Sequence, residues 1–179
     1  MSEPQWVEGV YDVLRRHDIT QVAYVPDAGL ATLIRRCQLD EAMCTIPLTT
    51  EEEGVALAAG AWLGGRRAAL LMQSSGVGNC VNMLSLWRTC RIAALTIVTM
   101  RGQFGEANPW QVPMGQASAA VLRLMGVVTF EVEDVTRIVE TVDAAATMAF
   151  TGPAATAVLI GQRAIGAKPF VQEFTGAGK

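Results

Sequence analysis

Histidine is almost missing: His17 is the only one in 179 residues. That scarcity argues against a Ser-His-Asp triad or a three-histidine metal site. His17 itself, in Arg15-Arg16-His17-Asp18, closes a helix with a basic cluster that complements the helix dipole. Four cysteines (Cys37, Cys44, Cys80, Cys90) show no C-x-x-C spacing, which removes the usual zinc and redox motifs. No block of Lys or Arg stands out and the net charge is −3, which argues against nucleic acid as a partner. No apolar run reaches the roughly 18 residues that a membrane helix requires. The start, Met-Ser-Glu-Pro-Gln-Trp, lacks the basic-then-apolar region of a secretion signal. These absences predict a soluble, cytoplasmic protein in a reducing compartment, with no membrane partner. Charge is scarce as well, at 17% of residues, and so weakly charged a surface points to a large partner interface.

What is abundant is apolar: 51% of the residues are hydrophobic, enough for the core of about one domain. No repeat and no internal linker interrupts it. Helix signals at 4–17, 28–37, 51–63, 76–87, 115–124 and 134–149 alternate with strand signals at 21–25, 43–47, 68–73, 92–99, 127–131 and 155–160. Residues 164–179 read as a tail or an arm on a partner. The alternation predicts an α/β fold, an open six-stranded parallel sheet with helices on both faces. Ligands of such sheets sit beyond the carboxyl ends of the strands. Four loops qualify by position: Pro26-Asp27, Thr49 to Glu53, Gln73 to Asn79, and Arg101 to Met114.

Three of these loops carry motifs with two readings each. In Thr49-Thr50-Glu51-Glu52-Glu53-Gly54, three acids open a helix that has no polar face and is expected to be buried. Thr50-x-x-Glu53 fits a capping box, and Glu51 suits the helix dipole. That leaves Glu52, a carboxylate beside an apolar wall, as a proton-transfer candidate. Gln73-Ser74-Ser75-Gly76-Val77-Gly78-Asn79 follows a strand and opens a helix, where glycines let backbone N–H groups approach a ligand. It is an incomplete dinucleotide fingerprint, lacking the third glycine and the downstream acid. Arg101-Gly102-Gln103-Phe104-Gly105-Glu106, with Trp110-Gln111 behind it, is either a solvated loop or an anion clamp built on Arg101.

Read together, these motifs resemble a known family. Glu52-Glu53-Gly54-Val55-Ala56-Leu57-Ala58-Ala59-Gly60-Ala61-Trp62 looks like the glutamate helix of thiamine-diphosphate enzymes. Gln73 to Asn79, Val25-Pro26-Asp27, Arg101-Gly102 and Pro113-Met114-Gly115 are similar to segments of sulfopyruvate and phosphonopyruvate decarboxylases. The likeness runs from about residue 5 to 165, and the motifs fall in order on the expected strand ends. It implies a pyrimidine-binding domain at 1–165 and a C-terminal tail at 166–179. It also implies the α half of a split, thiamine-diphosphate-dependent 2-oxoacid decarboxylase, acting on a small anionic substrate such as 3-sulfopyruvate. The Gly-Asp-Gly motif that holds the diphosphate and Mg²⁺ in the family does not occur here. The resemblance therefore implies a β subunit carrying that domain and an α/β hetero-oligomer, with no metal ligand in this chain.

Residue by residue, a gapless match counted back from Trp62 puts on Glu52 the glutamate that hydrogen-bonds the pyrimidine N1′. Asp27 matches an acid that transfers a proton after CO2 leaves. Ser75, Gly76 and Asn79 would line the cofactor pocket, and Arg101 and Gln111 would meet the substrate's anionic end. Two departures stand out. The loop after the fourth strand has no histidine pair, and Ser74 replaces an Asn of the decarboxylases. They keep other uses of the same half open: a carboligase or lyase, a phosphonopyruvate decarboxylase subunit, or a non-catalytic assembly subunit.

Overall fold

The computed structural model describes residues 5–167. Six parallel strands form one sheet in the order β2-β1-β3-β4-β6-β5. They are β1 (Ile19–Tyr24), β2 (Cys44–Pro47), β3 (Arg67–Gln73), β4 (Ala94–Thr99), β5 (Val128–Val132) and β6 (Ala155–Ile160). The helices are α1 (Gln5–Arg16), α2 (Ala31–Gln38), α3 (Glu51–Leu63), α4 (Ser74–Cys80), α5 (Leu84–Cys90), α6 (Val112–Leu124), α7 (Ile138–Thr151) and α8 (Gln162–Ile165).

The central strands are apolar throughout because both faces of the sheet are covered. Side chains alternate between two cores. Leu71, Leu95, Ile97 and Val158 pack on one side with α1, α2 and α7. Leu70, Met72, Val98 and Leu159 pack on the other with α3, α4, α5 and α6. After β1 the chain turns to the first side, and after β3 to the second, though the two strands are neighbours. That divergence opens a crevice at the carboxyl ends of the strands, the usual ligand position of such sheets.

The expected elements all occur, with local differences. The single helix expected over 76–87 is two helices with a turn at 81–83. This lets the Trp87 indole N–H donate to the Val55 carbonyl at 2.8 Å and lock α5 onto α3. Residues 134–149 begin with a short 3-10 turn, Val135–Arg137, capped by the Asp134 side chain on the Thr136 N–H, before α7 starts. Residues 164 and 165 belong to α8 rather than to a tail. Residues 168–179, most of the expected arm, lie outside the described residues. Helix α3 is not buried all round: Ala56, Gly60 and Leu63 are exposed, Leu63 at 80%. No helix among the described residues is long and apolar enough to cross a membrane.

Candidate active site

Helix α3 starts at the carboxyl edge of the sheet, and its first residue is Glu51. Glu51 is 8% exposed, whereas Glu52 and Glu53 are exposed. The helical period explains the choice. Positions i+3, i+4 and i+7 from Glu51 are Gly54, Val55 and Ala58, all buried against the sheet. From Glu52 the i+3 and i+7 positions, Val55 and Ala59, are buried, but i+4 and i+8 are the exposed Ala56 and Gly60. The buried carboxyl thus belongs to Glu51, which corrects the register that placed it on Glu52. Counting back from Trp62 selects Glu52 because an apolar helix offers no polar face to fix the frame. The expected capping box also changes. Thr50 makes no side-chain cap, and the Glu53 carboxylate instead accepts the Thr49 N–H at 2.8 Å.

Two residues of the Gln73–Asn79 segment close on Glu51. Asn79 donates its amide to Oε2 of Glu51 at 2.7 Å. Gly76 lies so near that a Cβ there would collide with Cδ and Oε1 of the glutamate. Oε1 has no hydrogen-bond partner among the described residues. The segment is itself helical from Ser74, so no glycine-rich turn precedes a helix, and the dinucleotide reading of the motif has no structural basis. Beside it, the Gln73 amide donates to Ser75 Oγ at 3.1 Å and reaches Gln111 Oε1 at 3.5 Å. Glu51, Ser75, Gly76, Asn79 and Gln111 are thereby gathered along one rim. Ser74 is fully buried. Its Oγ accepts the Arg101 N–H at 3.0 Å. It ties strand ends together rather than lining a pocket.

On the other side of that tie lies a cleft of about 190 Å³ bordered by Asp27, Gly29, Thr99, Arg101, Ile165 and Gly166. Asp27 follows β1, and its Oδ2 accepts the Gly29 N–H at 3.0 Å and the Thr99 hydroxyl at 2.6 Å. Arg101 does not stand open as a clamp. Its Nε and Nη2 each donate at 2.6 Å to the Glu106 carboxylate, with side-chain exposures of 15% and 3%. The bidentate fork expected to grip a substrate anion is engaged within the protein, and only Nη1 lacks a partner among the described residues.

Glu106, at the end of the Arg101–Glu106 motif, organises the whole loop. It also accepts from the Gly102 and Asn108 N–H groups and from the Gln162 amide. Gln162 in turn accepts the Gln103 and Phe104 N–H groups at 2.8 and 2.9 Å. The Arg163 guanidinium covers the Phe104 ring at 3.9 Å. Hydrogen bonding from Arg101, reinforced by the two amides, holds the Glu106 carboxyl down at about 2. Its spacing of five residues from Arg101 was the one hint available in the sequence.

Among the described residues, no group of three or more His, Cys, Asp or Glu side chains could hold a metal ion. The residues do suit an organic ring bearing a hydrogen-bond donor. They offer a sheltered carboxylate with one oxygen fixed and one unbonded, beside a glycine that keeps the approach clear.

Comparison with known proteins agrees with this architecture. The thiamine-diphosphate-dependent 4-hydroxybenzoylformate decarboxylase of Rhodococcus jostii superposes with a TM-score of 0.70 at 13% identity, over 91% of this chain. The chain spans 31% of that enzyme's length. The fold is therefore that of one domain of the thiamine-diphosphate-dependent enzymes. Sequence narrows the class. The sulfopyruvate decarboxylase α subunit of Methanocaldococcus jannaschii is 37% identical over 123 residues, 68% of this chain and 73% of that protein. That of Methanothermobacter thermautotrophicus is 41% identical over 119 residues, 66% and 72% of the two chains. The chain belongs to the family of sulfopyruvate decarboxylase α subunits. No protein-family model matches it.

Proposed function

We propose that this chain is the pyrimidine-binding α half of a two-chain, thiamine-diphosphate-dependent 2-oxoacid decarboxylase. Its substrate is 3-sulfopyruvate, its products are sulfoacetaldehyde and CO2, and it works in the cytoplasm. The observation that carries the reading is the Glu51 carboxyl, buried, held through Oε2 by Asn79 and unbonded at Oε1. The family relationship supports the assignment.

Thiamine diphosphate, when bound, supplies the nucleophile and the electron sink for loss of CO2. Glu51 holds a proton shared with the ring nitrogen of the cofactor, taking the role first expected of Glu52. Burial matters because water would compete for that hydrogen bond. Gly76 and Ser75 form the wall beside it, and Asn79 orients the carboxyl. Asp27 gives a proton to the substrate carbon after CO2 leaves. Arg101, through the Nη1 that Glu106 leaves free, and Gln111 face the substrate's distal anionic group. Mg²⁺ and the diphosphate belong to a β subunit, in keeping with relatives that are named as α subunits. That subunit docks on the exposed rim of Trp110, Pro113 and Met114, which adjoins the site where Met114 faces Gly78.

The test is reconstitution with the β chain, thiamine diphosphate and Mg²⁺, followed by CO2 release from sulfopyruvate. Glu51→Gln is expected to lower kcat at least about a hundredfold. Glu52→Gln is expected to stay within about twofold. The reverse order would return the role to Glu52 and remove the observation on which the reading stands.

A further inference from the structure

Asp27 and Thr99 are 72 residues apart in sequence and sit at the ends of β1 and β4, with β3 between them. Thr99 is 3% exposed. Its hydroxyl has one proton to give and two acceptors in reach: Asp27 Oδ2 at 2.6 Å and the Met72 carbonyl at 3.5 Å. The shorter contact lies within the range of a strong O–H···O bond and takes the proton. The Gly29 N–H donates to the same oxygen at 3.0 Å. A Cβ at Gly29 would stand 2.9 Å from Thr99 Cγ2 and 3.0 Å from Oδ2, so this cradle has no room for a side chain. Both donors converge on Oδ2, while Oδ1 has no hydrogen-bond partner among the described residues. The whole group borders the 190 Å³ cleft.

We propose that Thr99 is a positioning residue for proton transfer by Asp27: with Gly29 it pins Oδ2 and leaves Oδ1 as the oxygen that exchanges a proton in the cleft. The inference rests on the reading of Asp27 as the proton-transfer group. The carboxyl torsion of Asp is soft and roughly two-fold, so an unpinned Asp27 would present either oxygen over a range of angles. Proton transfer needs hydrogen-bond reach, and small misplacements are costly. In the step itself the Oδ1–H bond breaks and a C–H bond forms at the substrate carbon that has lost CO2. The electron pair of the broken bond stays on the carboxylate, and solvent water restores the proton. Two donors already on Oδ2 stabilise the negative charge that this step leaves on Asp27.

Thr99→Val keeps the shape of the side chain and removes the donor. In the αβ complex loaded with thiamine diphosphate and Mg²⁺, it is expected to lower kcat about ten- to hundredfold, the worth of one hydrogen bond to a charged group. KM stays within about twofold and the solvent deuterium isotope effect on kcat rises, because proton transfer becomes limiting. Thr99→Ser restores both. The readout independent of turnover is the Asp27 carboxyl carbon resonance in a ¹³C-labelled α chain within the complex. It shifts in Thr99→Val and returns in Thr99→Ser. In an Asp27→Asn background, Thr99→Val adds less than about twofold, since the two act as one unit. An unmoved Asp27 resonance with an unchanged isotope effect in Thr99→Val overturns the positioning role alone, even where Asp27→Asn is inactive. Full turnover by Asp27→Asn instead overturns the underlying role of Asp27 and the proposal with it.

Discussion

At the scale of single residues, the site is decided by which of three adjacent glutamates turns inward. Glu51 does, and Gly76 is the reason it can. A methyl at position 76 would occupy the space of the Glu51 carboxyl. Gly76→Ala is therefore expected to cost about 1–3 kcal/mol of stability through overpacking. It should also weaken cofactor binding by the assembled enzyme. Thermal unfolding measures the first and titration calorimetry the second, and a variant with native Tm and native affinity would show that the cradle has slack. The apolar i+3, i+4 and i+7 neighbours Gly54, Val55 and Ala58 mark a face, but Ala56, Leu57 and Ala59 make every other face look equally apolar. Only contact with Leu70 and Leu48, which a Cβ at Gly54 would meet, shows which side faces the sheet. Asp27 and Asn79 were legible as polar residues at strand ends. Their partners Thr99 and Glu51, 72 and 28 residues away, were not.

At the scale of elements, the segment between β4 and α6 behaves as a built structure, not a solvated loop. Glu106 gathers a guanidinium, two backbone amides and the Gln162 side chain around one buried carboxylate. Glu106→Gln leaves Arg101 largely buried without its countercharge, and about 3 kcal/mol of stability at neutral pH is expected to go with it. The pH dependence has a definite sign. The carboxyl is held down at about 2 against an ordinary value of 4.5, so its contribution is complete above pH 4.5 and fades as pH falls toward 2. The gap in unfolding temperature between wild type and Glu106→Gln should accordingly close across that interval. A gap independent of pH would mean that packing, not the ion pair, holds the loop. The sequence showed that the segment was long, polar and well placed. It could not show that Arg101 was already paired, because Gln162, 56 residues beyond Glu106, completes the arrangement only in three dimensions.

At the scale of the whole molecule, a sheet covered on both faces still leaves apolar side chains uncovered along one edge of the site. Trp110 is 84% exposed, beside Pro109, Pro113 and Met114. Low charge overall and an exposed tryptophan next to the rim that carries Glu51 are what a subunit interface requires. Trp110→Ser is expected to weaken α–β association about thirtyfold, equivalent to about 2 kcal/mol, without changing the circular dichroism of the α chain. Equilibrium sedimentation of the mixed chains reads this out, and unchanged association would move the interface elsewhere on the surface.

The sequence by itself determined the six-strand parallel architecture, the two-sided core and the four loops at the carboxyl ends. Those follow from short-range periodicity and from the apolar content of the strands, which any local reading can see. Tertiary structure alone decided that Glu51 and not Glu52 is sheltered, that Arg101 is bound to Glu106, and that Thr99 reaches Asp27. Glu51–Asn79 and Thr99–Asp27 join segments far apart in the chain, and the five-residue Arg101–Glu106 pair is completed by Gln162, 56 residues on, so each is a tertiary arrangement. Its geometry is fixed by how closely helices and neighbouring strands pack, and no local pattern records that distance.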